Sequence, residues 1–332
     1  MAYAQDVEEI ALELWDYFSS PNKKLSPDYV FQPRNGLFVS SDYTVARHSA
    51  VIDSQEEQFA IKLKTEPRVT KNLGFSFGYG PLSLGFSHEI GRKSRANKDY
   101  SLRWFSNSYS VDLRYDRYYA KPAGTITDET GTAPLESTGD AKVKNILLSG
   151  VYAFNKERFS YRAAYSGGVV QRRSAGSLLA AAKYSRGDIF LDPEDAVLLD
   201  MMKGRGGFSS RQLSLGRGYS FNWVPFHRDA ASKRDLSGLR NLTFNVTAVP
   251  MLALRNKVIT TDMQSESFKT SGDIQPSFTA RAGMCYSTGH FYLTSWVDFS
   301  HFEFTNGGDT SELIQKGSFS SLIAELQLNY RF

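Results

Sequence analysis

Histidine can act as a general base, a general acid or a metal ligand, but the spacing of the histidines in this sequence limits these roles. The chain contains His48, His88, His227, His290 and His301. None has the H-E-x-x-H spacing by which a helix presents two imidazoles to zinc. His301 supports one hypothesis, because a hydrolase site needs a serine, a histidine and an orienting polar group on adjacent elements, and Ser320 and Ser321 follow it. The alternative is that all five are ordinary interfacial or loop residues.

Other motifs resemble functional sequences but lack the context that the chemistry needs. The glycines of GFSFGYG (Gly74–Gly80) alternate along a predicted strand and open no helix, so they do not form a dinucleotide-binding loop. The triplet His227–Asp229 matches a kinase catalytic loop, yet no glycine-rich nucleotide loop accompanies it. Four acids lie close together, at Asp192, Glu194, Asp195 and Asp200. Their oxygens suit a hard cation, but a solvated loop is the simpler interpretation. The sequence therefore predicts no catalytic, cofactor-binding or metal-binding residue.

The final segment, Ser318–Phe332 (SFSSLIAELQLNYRF), indicates which kind of element carries these side chains. Apolar residues occupy alternate positions from Leu322 onward, and mostly polar residues lie between them. Because side chains on a strand alternate between faces, the pattern predicts a strand with one apolar face. Leu328, Tyr330 and Phe332 resemble the C-terminal signal by which outer-membrane barrels are recognised for assembly. A strand that closes a barrel is paired along both edges, which holds a terminal segment in place.

The same alternation recurs in about twelve segments from residue 35 onward. Phe59–Tyr79 is taken as a single strand interrupted at Pro67, Tyr100–Tyr119 as one strand with a bulge near Ser106–Ser110, and Phe159–Tyr165 as a further strand. Segments of about ten residues suit a tilted membrane strand better than a soluble sandwich. The prediction is an all-β transmembrane antiparallel up-and-down barrel of about 12 strands (roughly 10–14). One misfit is that the loop Pro122–Asp140 then falls among the short turns.

Bulk composition agrees with a barrel and excludes several other classes of protein. The 332 residues are 41% hydrophobic and 14% aromatic, which suits a chain with apolar side chains outside and polar ones inside. No stretch approaches the ~18 apolar residues of a membrane helix. A net charge of +4, from 39 basic and 35 acidic residues, is too balanced for a nucleic-acid-binding protein. The single cysteine, Cys285, excludes an intrachain disulfide framework.

The predicted domain organisation places a short N-terminal part before the barrel. Met1–Ala4 looks like the residual end of a secretory signal peptide, because an A-x-A precedes Gln5. Residues 5–34 are expected to hold a short helix over Asp6–Phe18 and a lead-in to the barrel. This helix is expected outside the barrel, with a position inside the lumen as the alternative. The barrel itself is expected to occupy residues 35–332.

Charged residues at inward positions are the predicted functional feature. The alternation places seven bases and five acids in the lumen: Lys62, Lys64, Arg114, Arg162, Lys183, Arg281, Arg331, Glu89, Asp112, Asp116, Asp298 and Glu325. About 12 strands lies between barrels filled by side chains and barrels with an open channel. Near-balanced charge favours paired networks and a narrow or occluded bore over a general porin. Arg217 lies on the apolar face, so we expect a bulge or an interfacial depth there.

Six stretches contain residues that barrel alternation alone does not demand. They are SPDYVFQPRNGLFVS (Ser26–Ser40), LGFSFGYGPLSLGFSHEIG (Leu73–Gly91), VYAFNKERFSYRAAYS (Val151–Ser166), QRRSAGSLL (Gln171–Leu179), GRGYSFNWVP (Gly216–Pro225) and LNYRF (Leu328–Phe332). These resemble an uncharacterised outer-membrane barrel family, a domain of unknown function found widely in Bacteroidetes. The resemblance implies a bacterial outer-membrane location, with membrane lipids and the barrel-assembly machinery as partners. It implies no activity, cofactor or functional residue.

Three functions are consistent with these observations. The preferred hypothesis is an integral outer-membrane barrel that forms a narrow or gated channel for small solutes. The second is a lipid-modifying enzyme, a lipase or deacylase, in the barrel wall. The third is a structural or accessory subunit of an outer-membrane complex.

Overall fold

The computed structural model describes most of the chain beyond the N-terminal part. Its residues are 25–33, 37–55, 59–65, 68–79, 82–90, 98–128, 131–137, 139–166, 168–201, 204–233, 235–262, 267–272, 274–306 and 314–332. The predicted signal-peptide end and the predicted helix over Asp6–Phe18 lie outside these ranges. The helices of the described part have four and six residues. No helix there is long and apolar enough to span a membrane.

The secondary structure of the described chain is dominated by strands. In chain order these are β1 (Val30–Phe31), β2 (Leu37–Gln55), β3 (Phe59–Thr65), β4 (Arg68–Tyr79), β5 (Leu82–Glu89), β6 (Lys98–Phe105), β7 (Tyr109–Ala120), β8 (Pro122–Asp128), β9 (Gly131–Glu136), β10 (Ala141–Ala153), β11 (Val170–Gln171), β12 (Ala175–Phe190), β13 (Arg205–Arg228), β14 (Arg240–Asp262), β15 (Ser267–Gly272), β16 (Gln275–Thr288), β17 (Phe291–Asn306) and β18 (Ile314–Arg331). The helices are α1 (Arg162–Tyr165) and α2 (Ala196–Met201).

Twelve of these strands close into one antiparallel barrel. Going around the wall, they are β2, β4, β5, β6, β7, β10, β12, β13, β14, β16, β17 and β18. The seam is the pairing of β18 with β2, which runs from Ile314 opposite Gln55 to Arg331 opposite Phe38. Closure removes the free sheet edges that would otherwise template aggregation. The predicted fold class and strand number are confirmed.

The two faces of the wall have opposite chemistry. Outward side chains are apolar and exposed, as at Phe75, Leu178 and Leu328, whose exposed fractions are 54%, 66% and 58%. Inward side chains are polar and buried, as at Thr243 and Ser220, which are both 0% exposed. A belt of exposed apolar side chains around a polar interior is the surface of a barrel that spans a lipid bilayer. The predicted alternation therefore assigns the faces correctly over most of the wall.

The two ends of the barrel differ in the length of their connections. At the terminus end, where β2 begins and β18 ends, β16 and β17 are joined by the tight turn at Gly289 and His290. At the opposite loop end the chain adds β15 beside β14, and the ribbon β3–β8–β9 beside β2. The segment Pro122–Asp140 lies here as the β8–β9 hairpin. The expectation that it falls among the short turns is wrong.

Two predicted strands were assigned incorrectly, and the errors cancel in the count. Tyr100–Tyr119 is two strands, β6 and β7, joined by a turn at Ser106–Ser108 rather than one strand with a bulge. Phe159–Tyr165 is not a strand, because its residues form a turn and α1 inside the barrel. Splitting the first segment moves the connections between it and Phe159–Tyr165 to the other end of the barrel, and the second error restores the later ones. That shift explains why Pro122–Asp140 lies at the loop end.

A register shift separates β3 from β4 and reverses the faces of β3. Lys64 pairs with Val51 of β2, whereas Arg68 pairs with His48, so the register moves by one residue across positions 66–67. A one-residue slip turns each side chain to the other face of a sheet. Leu63 is consequently buried, and Lys62 and Lys64 are exposed. The prediction that both lysines line the lumen is wrong for this reason.

Arg217 lies on the outer face, exposed between Leu215 and Tyr219. The pairs Gly216–Met251 and Tyr219–Ala248 keep one register on either side of it. The bulge expected at Arg217 is therefore absent, and the register shifts of the β13–β14 pairing lie instead at Arg205/Gly207, Leu213/Ser214 and Trp223/Phe226. An interfacial depth for Arg217 stays a prediction.

Candidate functional site

Two connections fold into the barrel and close it from its two ends. The plug, residues 154–166 and 168–174, joins β10 to β12 at the terminus end and carries α1. The cap, residues 191–201, follows β12 at the loop end and carries α2. Tyr165 in the plug and Leu198 in the cap are 3% and 1% exposed. Both connections thus bury their own side chains in the bore rather than extend into solvent.

Hydrogen bonds and aromatic contacts hold the plug against the wall. The Tyr165 hydroxyl donates to the Asn245 Oδ1 of β14, and its ring stacks on Phe105 at 6.4 Å between centroids. Asn222 of β13 donates through Nδ2 to the Ser160 carbonyl at 2.8 Å. Within the plug, Gln171 Nε2 donates to the Arg158 carbonyl at 2.6 Å. Apolar packing adds to these bonds, because Phe159, Tyr161 and Tyr165 lie in one buried cluster with wall residues such as Leu179 and Met251.

The cap closes the loop end by apolar packing. Leu198 and Leu199 pack in a buried cluster with Tyr118, Ile189 and other inward side chains at this end of the barrel. Asp195 begins the helix, since its Oδ1 accepts from the Leu198 N–H at 3.2 Å. Its Oδ2 accepts from Ser137 Oγ at 2.5 Å. The acids of this segment that the sequence suggested for a cation thus include a helix cap. Within the described ranges, no group of three or more His, Cys, Asp or Glu side chains is arranged to hold a metal ion.

A charged layer lies between the plug and the cap, and its ion pairs cross the bore. Arg281 of β16 pairs with Asp298 of β17 at 2.7 Å and with Asp112 of β7 at 3.5 Å. Asp112 also pairs with Arg114 at 2.8 Å. Since β7 and β16 are on opposite sides of the barrel, Arg281 spans the lumen. The layer thus places side chains of opposite charge across the width of the bore.

Arg103 and Glu325 form a second cross-lumen pair, from β6 to β18. The guanidinium donates two parallel hydrogen bonds of 3.0 Å to the two carboxylate oxygens. Such bidentate pairs fix geometry as well as charge. Arg103 was not predicted, because β6 and β7 were taken as one strand. Leu102 and Trp104 point outward, so the alternation of faces indicates that Arg103, between them, points inward.

Trp296 of β17 is the centre of the charged layer. The guanidinium carbons of Arg103, Arg114 and Arg281 lie 5.2, 5.1 and 5.4 Å from its ring centroid. The indole is 4% exposed, so these cation–π contacts are shielded from water. The sequence reasoning missed Trp296 because only charged residues were projected inward. Val297, its neighbour in β17, points outward, so the alternation of faces places Trp296 on the inner side.

The structure places the predicted lumen residues in three groups. In the charged layer it brings together Asp112, Arg114, Arg281, Asp298 and Glu325. Buried elsewhere in the interior are Lys183, Arg162 and Arg331, of which Arg162 belongs to the plug and not to the wall. Half-buried at inward positions are Glu89 and Asp116. Their role in lining a path for solutes stays a prediction.

Small cavities, each too small for an organic solute, remain between described side chains of the interior. One, of about 60 Å³, lies beside Lys183, Asp116 and His48 in the half towards the cap. Two others, of about 40 Å³ each, lie beside Arg103 and beside Arg281. Such spaces hold a few water molecules, since one water needs roughly 10–15 Å³ of this volume.

A serine, a histidine and a glutamate meet on the outer face of β17 and β18. His301 Nδ1 lies 2.8 Å from Ser320 Oγ, and His301 Nε2 lies 3.3 Å from Glu303 Oε1. Ser320 is directly opposite His301 in the sheet, next to the outward apolar pair Phe299 and Leu322. Ser321, the other serine suggested by the sequence, points instead towards the interior cavity. The outer group has the order of side chains that activates a serine.

The family model of a domain of unknown function, DUF4421, matches residues 27–332. The chain belongs to this DUF4421 family. This confirms the expectation of a family without assigned activity. No curated protein matches the chain in sequence.

Solved structures with a similar arrangement are outer-membrane barrels. The outer membrane protease OmpT of Escherichia coli has a TM-score of 0.39 and 8% identity, over 94% of this chain and 100% of that one. The translocator domain of the autotransporter NalP of Neisseria meningitidis has a TM-score of 0.34 and 12% identity, over 99% and 98%. OprG of Pseudomonas aeruginosa has a TM-score of 0.30 and 10% identity, over 91% and 98%. These likenesses concern the fold alone.

Proposed function

We propose that this DUF4421 protein is an integral barrel of the bacterial outer membrane and a gated channel for small solutes, with the arrangement above as its closed state. The observation that carries the proposal is the stacking of a plug, a charged layer and a cap along one bore. The apolar outer belt supports the membrane location. Membrane lipids and the barrel-assembly machinery remain the proposed partners, with Leu328, Tyr330 and Phe332 as the proposed assembly signal.

The composition of the charged layer favours a gate over a permanently sealed barrel. Arg114 is buried beside three buried acids, and the side chains of Arg103 and Arg281 are 16% and 12% exposed. An apolar filling of similar volume would often be as stable or more stable. Charged side chains tolerate water when a path opens, whereas apolar ones oppose its entry. The polar anchors of the plug, such as Tyr165 to Asn245, can likewise exchange for bonds to water.

Conductance across a planar bilayer tests this function. We expect the native protein to give rare, small steps. One variant replaces residues 157–172 by a short Gly-Ser turn, a second carries Leu198→Ser and Leu199→Ser in the cap, and a third combines both changes. Opening should be more frequent in each single variant and persistent in the combined one. A matched control carries Leu215→Ser and Leu252→Ser, an exposed cross-strand pair on the outer face, and should leave the steps unchanged.

Two results would contradict the gated channel. Large, unselective steps from the native protein would indicate an open porin. A combined variant that is folded, as judged by its heat-dependent gel mobility, and still does not conduct would indicate a barrel without a transport role. Were the plug deletion to prevent folding, Tyr165→Ala would loosen the plug while keeping its backbone.

The outer group at Ser320 supports a second candidate, a lipid hydrolase in the barrel wall. In this reaction Ser320 Oγ would attack an ester carbonyl while His301 takes the hydroxyl proton and Glu303 holds the imidazole. The proton would then pass to the leaving alcohol, and water would release the acyl group from the serine. Fatty-acid release from phospholipid in mixed micelles is the test. Ser320→Ala should abolish release and Ser318→Ala should retain it, and a native protein without activity would exclude this candidate.

A further inference from the structure

Basic residues are concentrated on one part of the outer wall, at the loop-end edge of the apolar belt. This basic band occupies outward positions on five consecutive strands: Arg117 on β7, Lys142 and Lys144 on β10, Arg186 on β12, Arg211 on β13, and Arg255 and Lys257 on β14. Directly towards the terminus end, the same strands expose apolar or aromatic residues such as Leu148, Tyr184 and Leu213. The band thus borders the surface that faces acyl chains.

The members of the band oppose one another across neighbouring strands. Arg117 is the direct partner of Lys144, and Arg211 is the direct partner of both Arg186 and Lys257. Like charges directly opposite one another destabilise a sheet. This repulsion recurs on successive strands, so an anion bound outside the protein between these bases would stabilise the arrangement.

Little of this charge is neutralised within the described part of the wall. Asp188 is the acid at the outward positions of these strand segments, and it pairs with Arg186 at 3.0 Å. Lys144 lies directly opposite Asp188 across the β10–β12 pair and over the Phe190 ring at 5.5 Å, so this one carboxylate faces two bases of the band. Arg117 and Arg211 are partly exposed on the outer face, so their guanidinium groups are accessible to a ligand there.

Among the described side chains, the opposite side of the barrel carries fewer bases: at the loop-end edge of β17 and β18, the outward side chains are His301, Glu303, Ser318 and Ser320. Exposed bases on β2 and β4, Arg47 and Lys71, lie opposite Val69 and Val45. The like-charge pairs at this end therefore involve the band. A uniform rim would fit a general attraction to anionic membranes, whereas a local band fits a bound molecule.

We propose that the basic band binds the phosphate groups of a phosphorylated glycolipid of the outer leaflet, whose acyl chains lie along the apolar belt below. Arg117, Lys144 and Arg211 supply the charge, and the guanidinium groups bind phosphate oxygens in a forked geometry. The lipid replaces the missing counter-charge and relieves the repulsion between strands. The inference rests on the proposed outer-membrane location and is independent of conduction.

Binding of bis-phosphorylated lipid A tests the proposal. The full-length chain in detergent micelles is titrated with fluorescent lipid A, with the same lipid after removal of both phosphates, and with inorganic phosphate as competitor. The band variant carries Arg117→Gln, Lys144→Gln and Arg211→Gln. The matched control carries Arg47→Gln, Lys71→Gln and Arg240→Gln, which removes the same charges from exposed positions elsewhere.

We expect the band variant to bind lipid A at least tenfold more weakly than the native chain, and the control to bind as the native chain does. Dephosphorylated lipid should bind weakly to all three, and millimolar inorganic phosphate should compete poorly because it lacks the acyl chains. Equal affinity of the band variant and the control would overturn the proposal, as would equal binding of the dephosphorylated lipid.

Two further measurements keep the outcomes separable. Heat-dependent gel mobility shows whether each variant is folded, and the single variants Arg117→Gln and Arg211→Gln replace the triple one if it is not. Insertion into phosphatidylcholine vesicles tests the membrane location by itself. Insertion without a preference for phosphorylated lipid would contradict this inference alone. Failure to insert would contradict the proposed membrane location as well.

Discussion

Arg281 Nη2 lies 3.5 Å from Asp112 Oδ2, although the two residues belong to strands on opposite sides of the barrel. The contact is continued by Asp298 on one side and by Arg114 on the other. These ion pairs therefore connect opposite sides of the barrel wall across the lumen. Stability and closure depend on the same side chains.

Removing one member of these ion pairs should be strongly destabilising. Arg281→Ser leaves Asp298 buried without its nearest cation, and such a loss costs about 3–5 kcal/mol. Arg186→Ser is the control, because its pair with Asp188 is partly exposed and is worth less than about 1 kcal/mol. Urea unfolding in lipid vesicles measures both changes. Similar losses in the two variants would mean that the cross-lumen pair is not truly desolvated.

Removing several bases should also change ion selectivity. In the charged layer, the combined change of Arg114, Arg162 and Arg281 to Ser leaves Arg103 with three acids, which are Asp112, Asp298 and Glu325. We expect cation-selective steps in a planar bilayer, measured as a shift of the reversal potential under a salt gradient. Converting the same three acids to Asn or Gln should shift it in the opposite direction. Anion preference in the arginine variant would contradict this assignment of the lumen.

The aromatic residues of the last strand should control assembly. The Tyr330 ring contacts those of Phe291 and Phe332, each at 5.0 Å between centroids, beside the seam with β2. Tyr330→Ala with Phe332→Ala should abolish the folded, heat-modifiable form in the outer membrane. Phe75→Ala with Phe77→Ala removes two equally exposed belt aromatics and should assemble nearly normally. Normal folding of the first variant would exclude the assembly-signal interpretation.

Acid should loosen the turn between β13 and β14. Asp229 accepts from His227 Nε2 at 2.9 Å and pairs with Arg172 of the plug at 2.6 Å. The hydrogen bond from His227, followed by the charge of Arg172, lowers the pKa of the Asp229 carboxyl. Because the folded pKa lies below its ordinary value of about 4, this stabilisation is present above that pH and disappears as the pH falls through the lowered pKa.

The effect should be smaller than about 1 kcal/mol, since Asp229 is largely exposed. Hydrogen exchange in the turn should therefore accelerate modestly as the pH falls below about 4, after correction for the intrinsic pH dependence. Asp229→Asn should exchange faster at neutral pH and lose this extra acid sensitivity. An identical acid response in the variant would assign the change to another carboxyl group.

The barrel was predictable from sequence because alternation is a local signal. It fails where a single residue changes the phase. The register shift between β3 and β4 separates two strands of similar composition. It places Leu63 on the inner side and turns Lys62 and Lys64 outward. Composition alone does not reveal such a shift, since both phases give plausible strands.

The plug was not predictable for a different reason. Phe159, Tyr161, Ala163 and Tyr165 alternate like a strand, yet they are buried on all sides within the barrel. Burial inside a lumen selects the same apolar residues as contact with lipid. Only the strand pairing, in which β10 is followed by β12 around the wall, separates the two environments. His301 and Ser320 could be paired as a hypothesis because both positions lie on strands whose register is uninterrupted.

The seam between β2 and β18 has a kinetic consequence. Phe38 and Arg331 are far apart in sequence, yet the barrel is incomplete until they are joined. Contacts between such distant positions are slow to form, because the entropy of closing the intervening chain is lost before any pairing compensates for it. Until that moment the sheet has two long unpaired edges, and its outer face already exposes apolar side chains that favour association. The final closing step is therefore the stage at which partly folded chains should aggregate and at which an assembly catalyst has most to contribute.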